Sequence, residues 1–445
     1  MIEAAHIAAA VRAGEITATA LAGQALTALE ADRHVAVTRV LAARALGDAA
    51  RVDAMVARGQ DPGPLAGVPF GVKDLFDVAG LTTTAGSRLL ADAAPAQADA
   101  AAVQCLCSAG AVLACTLNMD EFAYGFATIN AAHGTTRNPH DPARLAGGSS
   151  GGSAAIVAAG LLPFALGSDT NGSIRVPASL CGLYGLKPAH ASLPLGGVFP
   201  FAESFDDIGP FTASLADMAL VWEVLLGAPI PGDDGAEIRV ARLGGRFRDN
   251  ADPAQLAAID AAAPGAPLVE LPDIARARSA AFLITAREGG ALHRAALAGQ
   301  AMEFDPQVRD RLLAGALLPD ELYNHAQAFR AEFMAQVRAR FAEFDVLLAP
   351  AAPCPAPPIA DPRITIDGEQ RPARADLGIH TQPITFAALP SLAVPLRRPG
   401  LLPLGLQLIG RPGHEAKLLR FAARLEQSGI VGVTAPAGVL EGETT

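Results

Sequence analysis

Basic residues are in the minority in this 445-residue chain, with 34 Lys and Arg against 45 Asp and Glu and a formal net charge of −11. No Lys/Arg cluster interrupts that balance, and an acidic surface repels phosphate backbones, which argues against nucleic acid as a direct partner. Cysteine is also scarce. The five thiols (Cys105, Cys107, Cys115, Cys181 and Cys354) are odd in number and form no CxxC pair. The one-residue gap between Cys105 and Cys107 suits neither a disulfide nor a zinc site, so reduced, mostly buried thiols are expected. HExxH is missing too, so neither a metal nor another cofactor is expected. The first residues, MIEAAHIAAAVRAGEITATALAG, lack the basic start and unbroken apolar stretch of a secretory leader, and a cytoplasmic location is predicted.

Charge is absent from one long window, the 24 residues between Arg144 and Asp169. That length would cross a bilayer, but six glycines, four serines and Pro163 interrupt it, so it reads as buried core and no membrane association is expected. What the chain has in abundance is apolar material. Hydrophobic residues make up 51% and the mean hydropathy is +0.30, enough to fill a large core. The length allows two or three domains or one large α/β unit. Leu21, Ala25, Leu26 and Leu29 recur at helical spacing, and Phe329, Phe333, Val337 and Phe341 mark one face of an amphipathic helix. Between these lie apolar runs punctuated by turn residues, as in LLPFALGSDTNGSIRVPASLCGLYGLKP, which is the pattern of an α/β layer. No internal repeat or low-complexity tail is present.

The uncharged window opens with LAGGSSGGSAAIVAAG, residues 145–160. A flexible linker would be flanked by polar residues, whereas an alanine-rich apolar segment follows this run at once. A phosphate loop would need GxxxxGK[ST], and no Lys follows Gly152. What remains is a glycine-rich turn that allows close backbone approach, with serine hydroxyls on offer and a helix starting near Ser153. Just downstream, Thr170, Asn171, Gly172 and Ser173 place backbone N–H groups on a tight turn of the kind that stabilises a developing oxyanion. Serine needs a base, and no histidine is placed locally to serve. Lys73, between Val72 and Leu75, has two readings. Its stem packs while its ammonium reaches water, or it is buried and neutral and acts as a base.

GVPFGVKD (67–74), GGSSGGSAA (147–155) and GSDTNGSIRVPASLCGLYGLKP (167–188) together resemble the core of the amidase signature family. The serines stand 173 − 149 = 24 apart, and Lys73 precedes the first by 149 − 73 = 76, as that family's pattern requires. NMDEFAYG, QPITFAALP and LPLGLQLIG extend the likeness over nearly the whole chain. The resemblance implies an α/β fold with a central mixed, twisted β-sheet covered by helices on both faces. It implies one domain over 1–445: a helical segment to about residue 60, a serine–lysine core over about 61–215, a mostly helical insert over about 230–345 and a sheet-completing segment over about 346–435. It also implies Ser173 as nucleophile, Ser149 as a bridging serine after a cis peptide bond, Lys73 as base, and the N–H groups from Thr170, Asn171 and Gly172 to Ser173 as oxyanion donors. Many family members have glycine where this chain has Asn171, so its amide becomes a candidate to face the substrate. Arg175 and Asp169 are expected to form a structural ion pair.

SDTNGSIRVPASLCG, FRDNA (247–251), AFLITAREGG (281–290) and IHTQPITF (379–386) resemble a branch of that family acting on a small carboxylated ureide. That implies conversion of 1-carboxybiuret and water to urea-1,3-dicarboxylate and ammonia, with a short helical partner subunit in a homodimeric or heterotetrameric assembly. Tyr124, Arg287, His380 and Gln382 are then candidates to bind the carboxylate and the planar ureide. The alternatives are an amidase for another small amide and the glutaminase subunit of a tRNA-dependent amidotransferase.

Overall fold

The computed structural model describes residues 3–230 and 236–436; the rest of the 1–445 span lies outside the described residues. Its frame is an eleven-stranded sheet. In chain order the strands are β1 (Val37–Val40), β2 (Pro69–Lys73), β3 (Val112–Leu117), β4 (Phe164–Asp169), β5 (Tyr184–Lys187), β6 (Asp207–Thr212), β7 (Val240–Leu243), β8 (Leu268–Val269), β9 (Val346–Pro350), β10 (Ser391–Pro395) and β11 (Gly405–Gly410). They lie in the spatial order β1-β3-β2-β4-β6-β5-β10-β11-β9-β7-β8. Pairing is mixed. β2 runs parallel to β3 and β4, β9 parallel to β7, and the pairs joining β4 through β6, β5, β10 and β11 to β9 are antiparallel.

The central strands are buried along their whole length, as strands covered on both faces must be. Their side chains alternate between separate apolar clusters. Phe70, Val72, Phe164 and Leu166 point into one, where the rings of Phe70 and Phe164 stack at 5.2 Å, whereas Leu117, Ala165 and Phe211 point into another. Farther along the sheet Val346 and Leu348 divide from Leu347 and Ala349 in the same way. The fold is thus the α/β architecture expected, with helices on both faces of a mixed sheet. Helix Asp320–Ala339 buries Phe329, Phe333 and Val337 as its spacing predicts. Between residues 236 and 345 helices dominate, yet β7 and β8 also extend the sheet there. Runs of four and two residues are too short for periodicity to reveal.

All five cysteines are free thiols. Among the described residues no helix is long and apolar enough to cross a membrane.

Candidate active site

Parallel pairing of β2 with β4, in the register Phe70 with Phe164 and Val72 with Leu166, sends both strands out of the sheet on one side. Ligands in open α/β sheets gather outside such carboxyl ends. Lys73 is the last residue of β2, and Ser168 and Asp169 end β4. Lys73 is wholly buried, and its Nζ lies 2.7 Å from Ser149 Oγ and 2.8 Å from Ser168 Oγ. Desolvation pulls its pKa down to about 7, against the opposing pull of Asp120, Asp169 and Asp206. Of the two readings of this lysine, the structure contains the buried one, with no part of the side chain reaching water.

Ser149 follows a cis peptide bond from Gly148. The glycines of this run are required by crowding. A Cβ on Gly148 would stand 2.4 Å from Asp120 Oδ2, and one on Gly152 would stand 2.5 Å from Asn118 N. Ser150 Oγ donates to the Ser168 carbonyl at 3.0 Å and Ser153 Oγ to that of Leu166 at 2.9 Å, so both bind β4 and neither takes part in the lysine contact. The Ser150 N–H donates to the Ser173 carbonyl at 3.3 Å, which joins the two serine-bearing turns.

The Ser173 turn is organised by Asp169. Its carboxylate accepts the N–H of Gly172 at 2.6 Å and of Ile174 at 3.1 Å, and it pairs with the fully buried Arg175 guanidinium at 2.9 and 3.0 Å. Arg175 is tied in turn to the Thr381 carbonyl and to Thr385. This is the structural ion pair expected. One part of the expected oxyanion hole changes, because the Gly172 N–H is taken by Asp169, leaving Thr170, Asn171 and Ser173 as the donors this turn can offer. Positive φ falls on Gly172, at 138°, rather than on Asn171, and a Cβ there would meet Thr381 Oγ1 at 2.0 Å. Thr170 Oγ1 donates to Asp206 at 2.7 Å, and burial pushes that carboxyl up to about 6.

Ser173 lines a narrow cavity of about 20 Å³ together with Tyr124, Asn171, Phe282, Arg311 and Gln382. It adjoins a larger cavity of about 290 Å³ that shares Ala123, Thr170 and Phe201 and also touches Ser168 and Asp206. Of the four candidates to bind substrate, Tyr124 and Gln382 are therefore at this cavity. Arg287 and His380 are not. The Arg287 guanidinium turns outward to pair with Asp320 at 3.2 Å. His380 Nε2 is bound to the Asn250 carbonyl at 2.8 Å, its ring stacks on Phe247, and burial pulls its pKa down to about 4. Both are held by structural contacts away from Ser173.

The cation at the cavity is Arg311, which sequence reasoning missed. Its guanidinium lies 3.7 Å above the Tyr124 ring, and Nη1 donates to the Tyr124 carbonyl at 3.4 Å. Ser168, as second partner of Lys73, was missed as well. Among the described residues no group of His, Cys, Asp and Glu is arranged to hold a metal ion.

A buried lysine of lowered pKa touching a serine beside a second, cavity-lining serine is an arrangement suited to acyl transfer. The chain belongs to the amidase family, whose model matches residues 23–239 and 256–419, and it is an amide C–N hydrolase. It is 46% identical over 410 residues to AtzE, a 1-carboxybiuret hydrolase subunit of Pseudomonas sp. strain ADP, covering 87% of this chain and 89% of that protein. A glutamyl-tRNA(Gln) amidotransferase subunit of Chloroflexus aggregans is 38% identical, with 94% of each chain covered. Among solved structures, an inhibitor-bound protein from an unexpected vestigial complex, one that bears on the origins of an s-triazine catabolic enzyme, superimposes with a TM-score of 0.92 at 43% identity. The match covers 97% of this chain and 100% of that one.

Proposed function

We propose that this hydrolase uses Ser173 as nucleophile, Ser149 as proton carrier and Lys73 as base to release ammonia from a small anionic ureide, 1-carboxybiuret. The observation that carries the proposal is the 2.7 Å contact between Lys73 Nζ and Ser149 Oγ, buried beside the turn that bears Ser173. Ser173 Oγ attacks the terminal amide carbon while its proton passes through Ser149 to neutral Lys73. The carbonyl oxygen, now an oxyanion, is received by N–H groups of the Thr170–Ser173 turn, each such donor being worth about 10²–10³ in rate. The lysine then returns the proton through Ser149 to the leaving nitrogen, and ammonia departs from an acyl-enzyme. Water, deprotonated by the same relay, attacks the ester carbon, and urea-1,3-dicarboxylate is released as Ser173 recovers its proton.

The substrate's carboxylate finds its counter-charge in Arg311, held over Tyr124 at the cavity. The AtzE relative supports the ureide, and the solved neighbour's occurrence in a complex supports assembly with another protein, for which we propose a small helical partner in a homodimeric or heterotetrameric assembly. Ammonia release from 1-carboxybiuret, biuret, glutamine and simple aliphatic amides tests the proposal. Preference for 1-carboxybiuret, lost in Ser173→Ala, is expected. Activity confined to glutamine and raised by charged tRNA would overturn it in favour of a role in a tRNA-dependent amidotransferase.

A further inference from the structure

Two buried amide side chains at the cavity are left half-satisfied. Gln382 is fully buried, and its Oε1 accepts a hydrogen bond from Arg278 Nε at 2.9 Å. Arg278 is pinned from its other side by Asp376. Because a guanidinium only donates, this contact fixes the orientation of the Gln382 amide, with oxygen toward Arg278 and the NH₂ group turned away. That Nε2 has no partner among the described residues, and Gln382 lines the cavity with Ser173. Asn171 lines the same cavity. Its Nδ2 donates to Thr285 Oγ1 at 2.9 Å, and its Oδ1 has no partner among the described residues.

A buried polar atom without a partner bears a desolvation cost that no hydrogen bond repays. Here one donor and one acceptor carry that cost around a single cavity, within the set that contains the serine and the cation. An aliphatic monoamide acid has nothing between its two ends to satisfy them. A ureide has a carbonyl to accept from Gln382 and an N–H to donate to Asn171.

We propose that Gln382 and Asn171 form a specificity pair that reads the internal urea unit of the substrate, with Gln382 Nε2 donating to its carbonyl and Asn171 Oδ1 accepting from its N–H. Arg278 and Asp376 act behind Gln382 as positioning residues. The assignment rests on the ureide reading above and adds the groups that separate a ureide from an aliphatic amide of equal length. Such a pair rejects a ligand lacking those groups because its own buried atoms then stay unpaired.

Glutaramate supplies the control, since it keeps the primary amide and the carboxylate and replaces the internal NH–CO–NH by three methylenes. Calorimetric binding of freshly prepared 1-carboxybiuret and of glutaramate is measured in a Ser173→Ala background, with and without Gln382→Met, and with Asn171→Ala as a second variant. Each replacement is expected to weaken 1-carboxybiuret by about 10- to 100-fold and glutaramate by less than about threefold. Equal weakening of both ligands, no change in either, or no binding of 1-carboxybiuret would overturn the assignment. Ammonia release by the wild-type enzyme, measured apart from binding, decides the catalytic roles on its own.

Discussion

Replacing Lys73 with methionine separates a catalytic lysine from a structural one, because the two roles give opposite signs in stability. Desolvation lowers the Lys73 pKa from 10.5 to about 7. At 1.36 kcal/mol per unit, the shift means that burying this ammonium costs about 5 kcal/mol. A lysine lowered in the folded state carries that cost in full below pH 7, and the cost disappears as pH rises toward 10.5, because in that window the unfolded chain binds the extra proton. Methionine removes the cost and also deprives Ser149 and Ser168 of their contacts with Nζ, at about 1 kcal/mol each.

At pH 6 the variant is then about 3 kcal/mol more stable than the wild type. At pH 10, where only about 1 kcal/mol of the cost remains, it is about 1 kcal/mol less stable. With about 2.1 cal/mol/K of unfolding entropy per residue, 445 residues convert 1 kcal/mol to about 1 °C. Calorimetric scans should show Tm about 3 °C above wild type at pH 6 and about 1 °C below it at pH 10. In parallel, wild-type kcat/KM should fall tenfold per pH unit below an inflection near 7, and Lys73→Met should lose at least about 10² in rate, the low end for a general base. A variant destabilised equally at both pH values, or one with wild-type turnover, would refute the neutral-base assignment.

Arg311→Met should lower kcat/KM for carboxylate-bearing amides by about 10- to 100-fold, the value of a charge-assisted contact, and leave neutral amides nearly unchanged. Arg287→Ala, which removes only the outward pair with Asp320, should leave both profiles at wild type in the same ammonia assay. Gly172→Ala forces a side chain onto φ 138° and into Thr381 Oγ1, so the turn bearing Ser173 must move. Its kcat should drop by at least about 10² while circular dichroism shows helix and sheet retained.

The serines and the lysine proposed as the catalytic set were legible because their placement depends on local features: a glycine-crowded turn, an apolar strand ending in lysine, and a second turn a fixed distance downstream. The residues proposed to address the substrate are a different matter, and the two arginines show why. Arg287 sits in AREGG, a segment that looks functional, and Arg311 in PQVRDRLLAGA, which looks like a solvent-facing helix. The structure exchanges those roles through the packing of helix Ile274–Leu292 on helix Pro306–Ala316. A Cβ on Gly290 would stand 2.2 Å from Ala316 N, and one on Gly315 would stand 1.8 Å from Ala286 O, so the two backbones touch where those glycines lie. Contact that close leaves little freedom to rotate one helix against the other. It fixes Arg311 over Tyr124 and sends Arg287 out to Asp320. The informative signal in AREGG is therefore its glycine pair, which sets the helix contact that brings a cation from 138 residues downstream of Ser173 to the same cavity. Ser168 follows the same logic on the sheet, since only the parallel register of β2 with β4 places it beside Lys73.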